Sequence, residues 1–287
     1  MNWILKSGKQ GEKIMSENII ETSHLSVKIG HRYILKDINW NVKKGERWVV
    51  FGMNGCGKTT LLSIVAGYMF QNEGELKVLG EHYSNDNILD FRKRIGWVSA
   101  SYYDKMYSKE SVLDIVLSGK FGTMGLRGSV EDEDIILVKR LLQELGLSDK
   151  INRSFSTLSK GERQNVLIAR AMFTKPEILI LDEPCTGLDL FNRAHLFSTI
   201  RDLADNSDIT IIYVTHYVDE VLDIFDHALF LRHGMIYGSG KVEDMFTSEK
   251  MSRLIEYPVI MDQSDRNAFK ADIDVSSKIY AILQEVE

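Results

Sequence analysis

The sequence predicts an α/β protein that combines an N-terminal antiparallel β subdomain, an α/β core and a helical insert. Residues 19–47 alternate apolar and polar side chains, which is typical of half-buried strands. From Pro176 onward, short apolar runs alternate with segments of helical length, and this pattern indicates parallel strands joined by crossover helices. Between Tyr103 and Phe155 the pattern is helical, so the core is expected to be interrupted there.

The first elements are expected to form a hairpin that leads into a buried strand. The alternating runs SHLSVKIG and YILKDINWNV are separated at Gly30 and His31, which predicts a turn between two antiparallel strands. Trp48–Phe51 is a short apolar run of the buried-strand type. It leads into a glycine-rich loop, and the apolar segment TTLLSIVAGYMF that follows is long enough to be a helix.

The helical insert rests mainly on the segment EDEDIILVKRLLQELGL. Its first residues are acidic, which suits the positive end of a helix. Ile135, Val138, Leu142 and Leu145 then recur at spacings of three and four residues, which predicts one buried helix face.

Strands and helices are expected to alternate through the C-terminal half. PEILILDEP, DITIIYVT and HALFLRHG are predicted strands, and DLFNRAHLFSTIRDLAD and YVDEVLDIF are predicted helices between them.

Composition narrows the functional classes before any motif is considered. The 287 residues carry 35 Lys and Arg against 41 Asp and Glu, a net charge of −6, which disfavours nonspecific binding to nucleic acid. Cys56 and Cys185 cannot form a disulfide framework or a four-cysteine zinc site, so a reducing compartment is expected. The longest stretch without a charge, 59–72, contains polar residues and is shorter than the roughly 20 apolar residues of a spanning helix. We therefore expect a cytoplasmic protein that does not insert into the membrane and reaches it, if at all, through a partner.

The segment GMNGCGKT matches the pattern GxxxxGK[ST] of a phosphate-binding loop. Its glycines allow backbone N–H groups to turn toward phosphates, and the helix that follows adds its positive end. Lys58 is expected to neutralise the β- and γ-phosphates, and the Thr59 hydroxyl is expected to help hold Mg²⁺. The predicted nucleotide-contacting residues of this segment are Gly52, Met53, Asn54, Gly55, Cys56, Gly57, Lys58, Thr59 and Thr60.

A second motif, EILILDEP, places two carboxylates at the end of a buried strand. Strand alternation sends the side chains of Asp182 and Glu183 in opposite directions, so they are able to do different work. Asp182 is expected to bind Mg²⁺, directly or through water, and Glu183 to orient and polarise an attacking water.

The segment LSKGERQ has two interpretations. Ser159 and Glu162 have the spacing of a capping box, which stabilises a helix N-terminus and need carry no further function. Alternatively, Ser159 and Gly161 present that helix N-terminus to a phosphate.

The order of the motifs resembles the nucleotide-binding subunits of the ABC ATPase family over about residues 19–245. The glycine-rich loop, LSKGERQ, LDEP and TGLD (Thr186–Asp189) occur in that order, and His216 follows the strand ITIIYVT. The resemblance implies a P-loop NTPase core, ATP and Mg²⁺ as cofactors, and a sandwich dimer. In that dimer each ATP lies between the phosphate-binding loop of one subunit and the signature motif of the other.

The resemblance also implies individual roles. Ser159, Lys160, Gly161 and Glu162 stand in the signature motif, Asp189 stands in the D-loop, and His216 is the switch histidine at the γ-phosphate. The implied catalytic residues are therefore Lys58, Glu183 and His216. The predicted domain organisation is an N-terminal extension (1–18), one ATPase cassette (19–245, with the insert at about 103–157) and a helical C-terminal extension (246–287).

The sequence departs from the family pattern in three places. Ala100 or Ser101 occupies the place of the usual glutamine after IGxV, which touches Mg²⁺ and relays to a membrane partner. Ile29 stands where an aromatic residue usually stacks on adenine. Lys160 replaces a glycine and Glu162 a glutamine in the signature motif.

The function expected from the resemblance is ATP hydrolysis by the nucleotide-binding subunit of a transporter. Such a subunit forms a homodimer or heterodimer and works with a separate transmembrane permease. The alternative is a soluble ABC ATPase that acts on a cytosolic protein or nucleoprotein complex. It is favoured by the missing glutamine and by a loose resemblance of RYILKDINWNVKKGERWVVFG to ATPases grouped with molybdenum-transport and photorepair components. A module that only binds nucleotide is disfavoured by the presence of Lys58, Asp182, Glu183 and His216.

Overall fold

The strands and helices are described by a computed structural model over residues 18–103, 109–262 and 270–273. The predicted N-terminal extension lies outside these residues except for Asn18. The strands are β1 (Asn18–Ile29), β2 (Arg32–Lys43), β3 (Arg47–Phe51), β4 (Glu73–Val78), β5 (Ile95–Ser99), β6 (Ile178–Asp182), β7 (Thr210–Thr215), β8 (His227–Arg232), β9 (Met235–Lys241), β10 (Val259–Asp262) and β11 (Lys270–Ile273). The α-helices are α1 (Lys58–Val65), α2 (Ile88–Arg94), α3 (Ala100–Tyr103), α4 (Val112–Ser118), α5 (Asp132–Glu144), α6 (Lys160–Met172), α7 (Leu190–Asn206), α8 (Val242–Met245) and α9 (Ser248–Ile255).

The predicted N-terminal β subdomain is confirmed as a three-stranded antiparallel sheet in the order β2-β1-β4. Its β1–β2 hairpin turns at Gly30 and His31, as the sequence predicted, and β4 pairs with the other edge of β1. Alternate residues of β2 face inward, because Ile38, Trp40 and Val42 are buried while the residues between them are exposed. This period of two explains why the segment formed a strand that covers the core on one face.

The α/β core is a six-stranded sheet in the order β5-β6-β7-β3-β8-β9. All neighbouring strands are parallel except the antiparallel edge pair β8–β9. Both faces are covered: Ile178 and Ile180 pack into the apolar cluster shared with α1 and the antiparallel sheet, and Leu179 and Leu181 pack into the cluster on the opposite face. Burial on both faces explains why β6 is a continuous apolar run.

The predicted helical insert is confirmed, and its helices pack against the core through α6. Val138 and Leu142 of α5 are fully buried, whereas Ile135 and Leu145 are half-buried at the border of the same helix face. A reciprocal capping box between Glu131 and Asp134 starts α5, so the acidic opening of this segment serves the helix N-terminus.

Two C-terminal segments differ from the expectation of helix. Residues 217–225 contain only a single 3₁₀ turn, at Val218–Glu220, because the Glu220 carboxylate turns inward and accepts hydrogen bonds from β7. In the predicted helical C-terminal extension, α9 is followed by β10 and β11, which form an antiparallel ribbon. Within the described ranges, no helix is both long and apolar enough to cross a bilayer.

A buried cluster of three phenylalanines joins α8 and the segment after it to the core. The Phe246 ring meets those of Phe51 and Phe230 edge-on, with centroids 5.2 and 5.0 Å apart, and Phe246 is fully buried. Phe246→Ala is expected to destabilise the nucleotide-free protein by about 3–5 kcal/mol, because it removes a core ring and leaves a cavity. Thermal unfolding measures this loss. Phe191→Ala is the matched control, because Phe191 is 78% exposed. Equal stability of the two variants would contradict the assignment of Phe246 to the core.

Candidate functional site

The parallel strands deliver the predicted site residues to one edge of the sheet. β5, β6, β7 and β3 are neighbours and run in the same direction, so the segments after them meet at their carboxyl ends. These segments carry Ser99–Ala100, Asp182–Glu183, His216 and the loop 52–57, respectively. The carboxyl edge of a parallel sheet is where α/β proteins bind their ligands.

The glycine-rich loop ends in a helix whose N-terminus is available to an anion. Gly57 has φ of 110°, and a Cβ there would lie 2.7 Å from Leu35 Cδ2, so both the conformation and the space require glycine. Helix α1 begins directly afterwards without a side-chain cap. Its first backbone N–H groups have no partner within the helix and carry the positive end of the dipole. This arrangement suits a phosphate group.

Lys58 is held inward at the base of the loop. It is 5% exposed, and its Nζ donates to the Gly52 carbonyl oxygen at 2.7 Å. The same Nζ lies 3.3 Å from Glu183 Oε1. The ammonium group is thus placed between the backbone of the loop and the carboxylate at the end of β6.

Asp182 is a buried carboxylate held by two hydroxyls. Thr59 Oγ1 donates to Asp182 Oδ1 at 3.3 Å, and Ser99 Oγ donates to Oδ2 at 3.1 Å. Burial raises the pKa of Asp182 to about 6, and the two hydroxyl hydrogen bonds oppose that rise only in part. Ser99 was not among the predicted site residues. Its place becomes clear from the register of β5 and β6 in the structure, in which Ser99 pairs directly with Asp182.

Glu183 lies in the left-handed region, with φ of 47°, immediately after β6. This conformation is unfavourable for a residue with a side chain and is found mainly where surrounding contacts enforce it. Glu183 Oε1 is 3.3 Å from Lys58 Nζ and 3.2 Å from His216 Nδ1. Asp182 and Glu183 therefore have separate sets of partners.

A buried network behind His216 fixes the backbone on both sides of it. Glu220 Oε2 accepts hydrogen bonds from Thr215 Oγ1 at 2.6 Å and from Tyr213 OH at 3.0 Å. Thr215 Oγ1 in turn accepts from the backbone N–H of Tyr217 at 3.0 Å. Burial raises the pKa of Glu220. Glu220 was not among the site residues predicted from the sequence. The feature that could have indicated it is its position as an acidic residue four positions after His216.

Asp189 and Gly161 lie on either side of Asn192 and form a second group, at the starts of α6 and α7. Asp189 caps α7, accepting from the Asn192 backbone N–H at 2.8 Å and from its side-chain amide at 2.9 Å. A Cβ on Gly161 would lie 2.7 Å from the Asn192 amide, so the starts of α6 and α7 approach closely. Ser159 and Glu162 form the predicted capping box at the start of α6. The hydrogen bonds of these caps lower the pKa of Glu162 and of Asp189.

The departures from the family pattern have definite places. Ala100 begins α3 and lines a cavity of 170 Å³ together with Asp182 and Glu183. Ile29 is exposed at the end of β1. The exposed Lys160 packs over Gly187, because a Cβ on that glycine would lie 2.6 Å from Lys160 Nζ. Gln164 and Arg163, which were not predicted, line the same cavity.

The donor set around Asp182 fits Mg²⁺ bound mainly by phosphate and water. Across the described part of the chain, no three His, Cys, Asp or Glu side chains converge to hold a metal. Asp182 and Thr59 supply one carboxylate and one hydroxyl, both hard oxygen ligands. Mg²⁺ is usually bound through one or two carboxylates together with substrate phosphates. Burial has raised the pKa of Asp182, and a nearby cation would favour the charged form of this carboxyl group.

Comparisons with known proteins agree with the order of motifs and with the fold. A family model described as ABC transporter matches residues 35–186. The uncharacterized ABC transporter ATP-binding protein YlmA of Bacillus subtilis is 40% identical over 243 residues, which span 84% of this chain and 92% of that protein. An inward-facing ABC transporter, provisionally described as of the metal-chelate type, is 27% identical with a TM-score of 0.73, over 91% of this chain and 99% of that chain. The dimeric bacterial ABC transporter cassette MJ0796 is 25% identical with a TM-score of 0.69, over 78% and 98%.

Asp182→Asn tests the burial of this carboxylate in protein free of nucleotide and metal. Because the pKa is raised from 3.8 to about 6, the native state binds this proton more tightly than the unfolded state does. Stability from this group is present below the unfolded pKa and is lost as the pH rises through about 6. The variant is therefore expected to be more stable than wild type by up to about 3 kcal/mol near pH 8, with the difference falling to about 0.5 kcal/mol near pH 4.

Chemical denaturation in EDTA across this pH range measures the effect. Asp90→Asn is the control, because Asp90 is exposed and its pKa is lowered by a hydrogen bond from Lys93. It is expected to give no gain near pH 8. A lower stability of Asp182→Asn than of wild type at that pH would contradict the interpretation.

Proposed function

The chain belongs to the ABC transporter family and is an ATP-binding subunit of that kind, and from this premise we propose that it hydrolyses ATP to drive a membrane permease made of another polypeptide. The observation that carries the proposal is that side chains from two separate segments contact one carboxylate oxygen on a third segment. Lys58 Nζ and His216 Nδ1 lie 3.3 and 3.2 Å from Glu183 Oε1. A cation that binds phosphate, a carboxylate base and a histidine are thereby held within reach of one another.

The proposed mechanism divides the work between the two carboxylates. The N–H groups at the start of α1 and the Lys58 ammonium bind the β- and γ-phosphates. Thr59 and Asp182 would hold Mg²⁺, which when bound neutralises phosphate charge. Glu183 accepts a proton from water as its oxygen attacks the γ-phosphorus and the bond to the leaving ADP oxygen breaks. His216 holds the Glu183 carboxylate in place through Oε1.

We further propose that the group around Asn192 serves the nucleotide of a second subunit. Ser159 and Gly161 at the start of α6, together with Asp189 at the start of α7, would meet the ATP bound by the partner copy. Support comes from Leu190 and Phe191, which follow Asp189 and are 84% and 78% exposed, because large exposed apolar side chains mark interaction surfaces. The dimeric cassette MJ0796 gives a structural precedent for this association.

The comparisons favour the transporter over the soluble alternative. The soluble alternative was favoured by Ala100 or Ser101 in place of the usual glutamine and by a loose resemblance of the segment 32–52, and no relative described above supports it. The proposed site of action is the cytoplasmic face of a membrane. Isolation of the chain in complex with a multi-spanning permease would test this part of the proposal.

Glu183→Gln is expected to retain ATP binding while kcat falls by roughly 100- to 10,000-fold, because the amide cannot accept the proton of the attacking water. Size-exclusion chromatography with ATP and Mg²⁺ is expected to show an ATP-trapped dimer. If this variant remains monomeric, the sandwich arrangement is wrong. Hydrolysis at the wild-type rate would exclude Glu183 as the base.

Lys58→Ala is expected to weaken ATP binding by roughly 10- to 100-fold, because a hydrogen bond to a charged group contributes about 1.5–3 kcal/mol. Equilibrium titration with a fluorescent ATP analogue measures the affinity, and circular dichroism checks the fold. Lys93→Ala provides the control, because Lys93 is paired with Asp90 on α2, outside the loop. Equal affinity of the two variants would count against the assignment of the loop.

A further inference from the structure

The orientation of the His216 ring depends on the residues around it. The torsion between the Cβ atom and the ring of a histidine is broad, so packing has to select one orientation. That orientation matters in the proposed mechanism, because Nδ1 of this ring lies 3.2 Å from the Glu183 carboxylate that it holds. The His216 side chain is 19% exposed, so the core does not enclose it completely.

The ring of Tyr217 packs against the ring of His216. The two centroids are 4.1 Å apart, and the ring planes are inclined by 38°. Carbon atoms pack best at about 3.5–4.0 Å, so little space is left between the rings. A turn of the imidazole about its bond to Cβ would push a ring edge into the phenol ring. The contact therefore opposes a rotation that would take Nδ1 away from Glu183.

The backbone of Tyr217 is fixed by hydrogen bonds on both sides. Its N–H donates to Thr215 Oγ1 at 3.0 Å, and its carbonyl oxygen accepts from the Glu220 N–H at 3.3 Å. The Glu220 carboxylate is buried and accepts from the Thr215 hydroxyl at 2.6 Å. The phenol ring is thus attached to an anchored stretch of chain, although Tyr217 is 51% exposed.

The ring of Tyr217, and not its hydroxyl, makes the contact. In the part of the chain that the structure describes, the Tyr217 hydroxyl has no hydrogen bond. Single exposed aromatic residues are common on protein surfaces. Tyr33 and Tyr237 are also exposed, but their rings lie against a lysine or an arginine outside the site. Tyr217 differs from both because its ring lies against a site residue.

We propose that Tyr217 is a positioning residue whose ring holds the His216 imidazole toward Glu183. The inference rests on the proposed ATP hydrolysis and adds a residue to it. In the step itself the water oxygen bonds to the γ-phosphorus, the bond to the ADP oxygen breaks and the water proton passes to Glu183. Tyr217 acts through His216, needs no contact with the water or the phosphates, and undergoes no covalent change.

The test removes the ring and keeps the backbone hydrogen bonds. Tyr217→Ala removes the ring, and Tyr217→Phe removes only the hydroxyl. Steady-state hydrolysis gives kcat and KM, and thermal unfolding without nucleotide gives Tm. For Tyr217→Ala, kcat is expected to fall roughly 10- to 100-fold with KM within about threefold, because a misplaced catalytic group loses rate rather than binding. Tyr217→Phe is expected to restore the wild-type kcat, because it restores the ring contact.

Tyr237→Ala is the matched control for the loss of an exposed tyrosine. Tyr237 lies on the edge strand β9, and Arg232 Cζ is 5.9 Å from the centroid of its ring. This variant is expected to keep kcat and KM close to wild type. Four results overturn the inference: an unchanged kcat for Tyr217→Ala, an equal loss for Tyr217→Phe, a loss confined to KM, or a fall in Tm much larger than that of Tyr237→Ala.

A second comparison asks whether Tyr217 acts through His216. Residues that work as a unit give losses that are not additive. Tyr217→Ala is therefore expected to cause no further loss of hydrolysis in a His216→Ala background. The rates are measured with enzyme in excess over ATP, so that slow residual hydrolysis is resolved. A further loss by the factor seen in the wild-type background overturns the inference.

Failure of the inference is distinguishable from failure of the proposed function. A wild-type enzyme that hydrolyses ATP and loses activity on Glu183→Gln, while Tyr217→Ala remains fully active, overturns only the role of Tyr217. A wild-type chain without hydrolysis in the presence of ATP, Mg²⁺ and its permease overturns both.

Discussion

The parallel order of four strands is the constraint on which the site depends. Because β5, β6, β7 and β3 are neighbours and run in one direction, segments far apart in sequence are brought to a single edge. A parallel sheet is stable only when both faces are covered, and the two apolar clusters provide that cover. Alternate residues of β6 pack into opposite clusters, and this packing fixes the direction and register of the strand that ends at Asp182. The packing of the strands thus determines where the carboxylates lie.

The same edge concentrates groups that are unfavourable for folding. Lys58 and Asp182 are nearly fully buried, Glu183 has a left-handed backbone, and the Gln164 amide nitrogen has no partner among the described residues. The acids of the second group have the opposite environment, because the N-cap hydrogen bonds at Glu162 and Asp189 lower the pKa of each. Burial instead raises the pKa of Asp182, so a cation bound beside it would stabilise the charged form of this carboxylate. Unfavourable local features of this kind cluster where a ligand is bound.

The sequence predicted what depends on local pattern. Gly30 and His31 marked the hairpin turn, and the apolar run before Asp182 marked a buried strand, because turn chemistry and strand period are short-range properties. Ser99 could not be found in this way, since its contact with Asp182 depends on the register of two strands 83 positions apart. Gln164 lies on a helix whose N-terminus gave a capping signal, and nothing local shows that its side chain borders a cavity. The helix predicted at 217–225 is absent for the same kind of reason, because the Glu220 carboxylate turns inward to hydroxyls of another element.

A hydrogen-bonded turn and close packing connect the two groups of site residues within one chain. Thr186 N–H donates to the Glu183 carbonyl oxygen at 3.1 Å, so a tight turn joins the residue that we propose as the base to the segment that ends at Asp189. Asp189 holds Asn192, which leaves no room for a side chain on Gly161 at the start of α6. A phosphate at the glycine-rich loop competes with Glu183 for the Lys58 ammonium, since both are anions within its reach. The contacts around Glu183 are therefore continuous with those at the starts of α6 and α7, the surface that we propose for the second subunit.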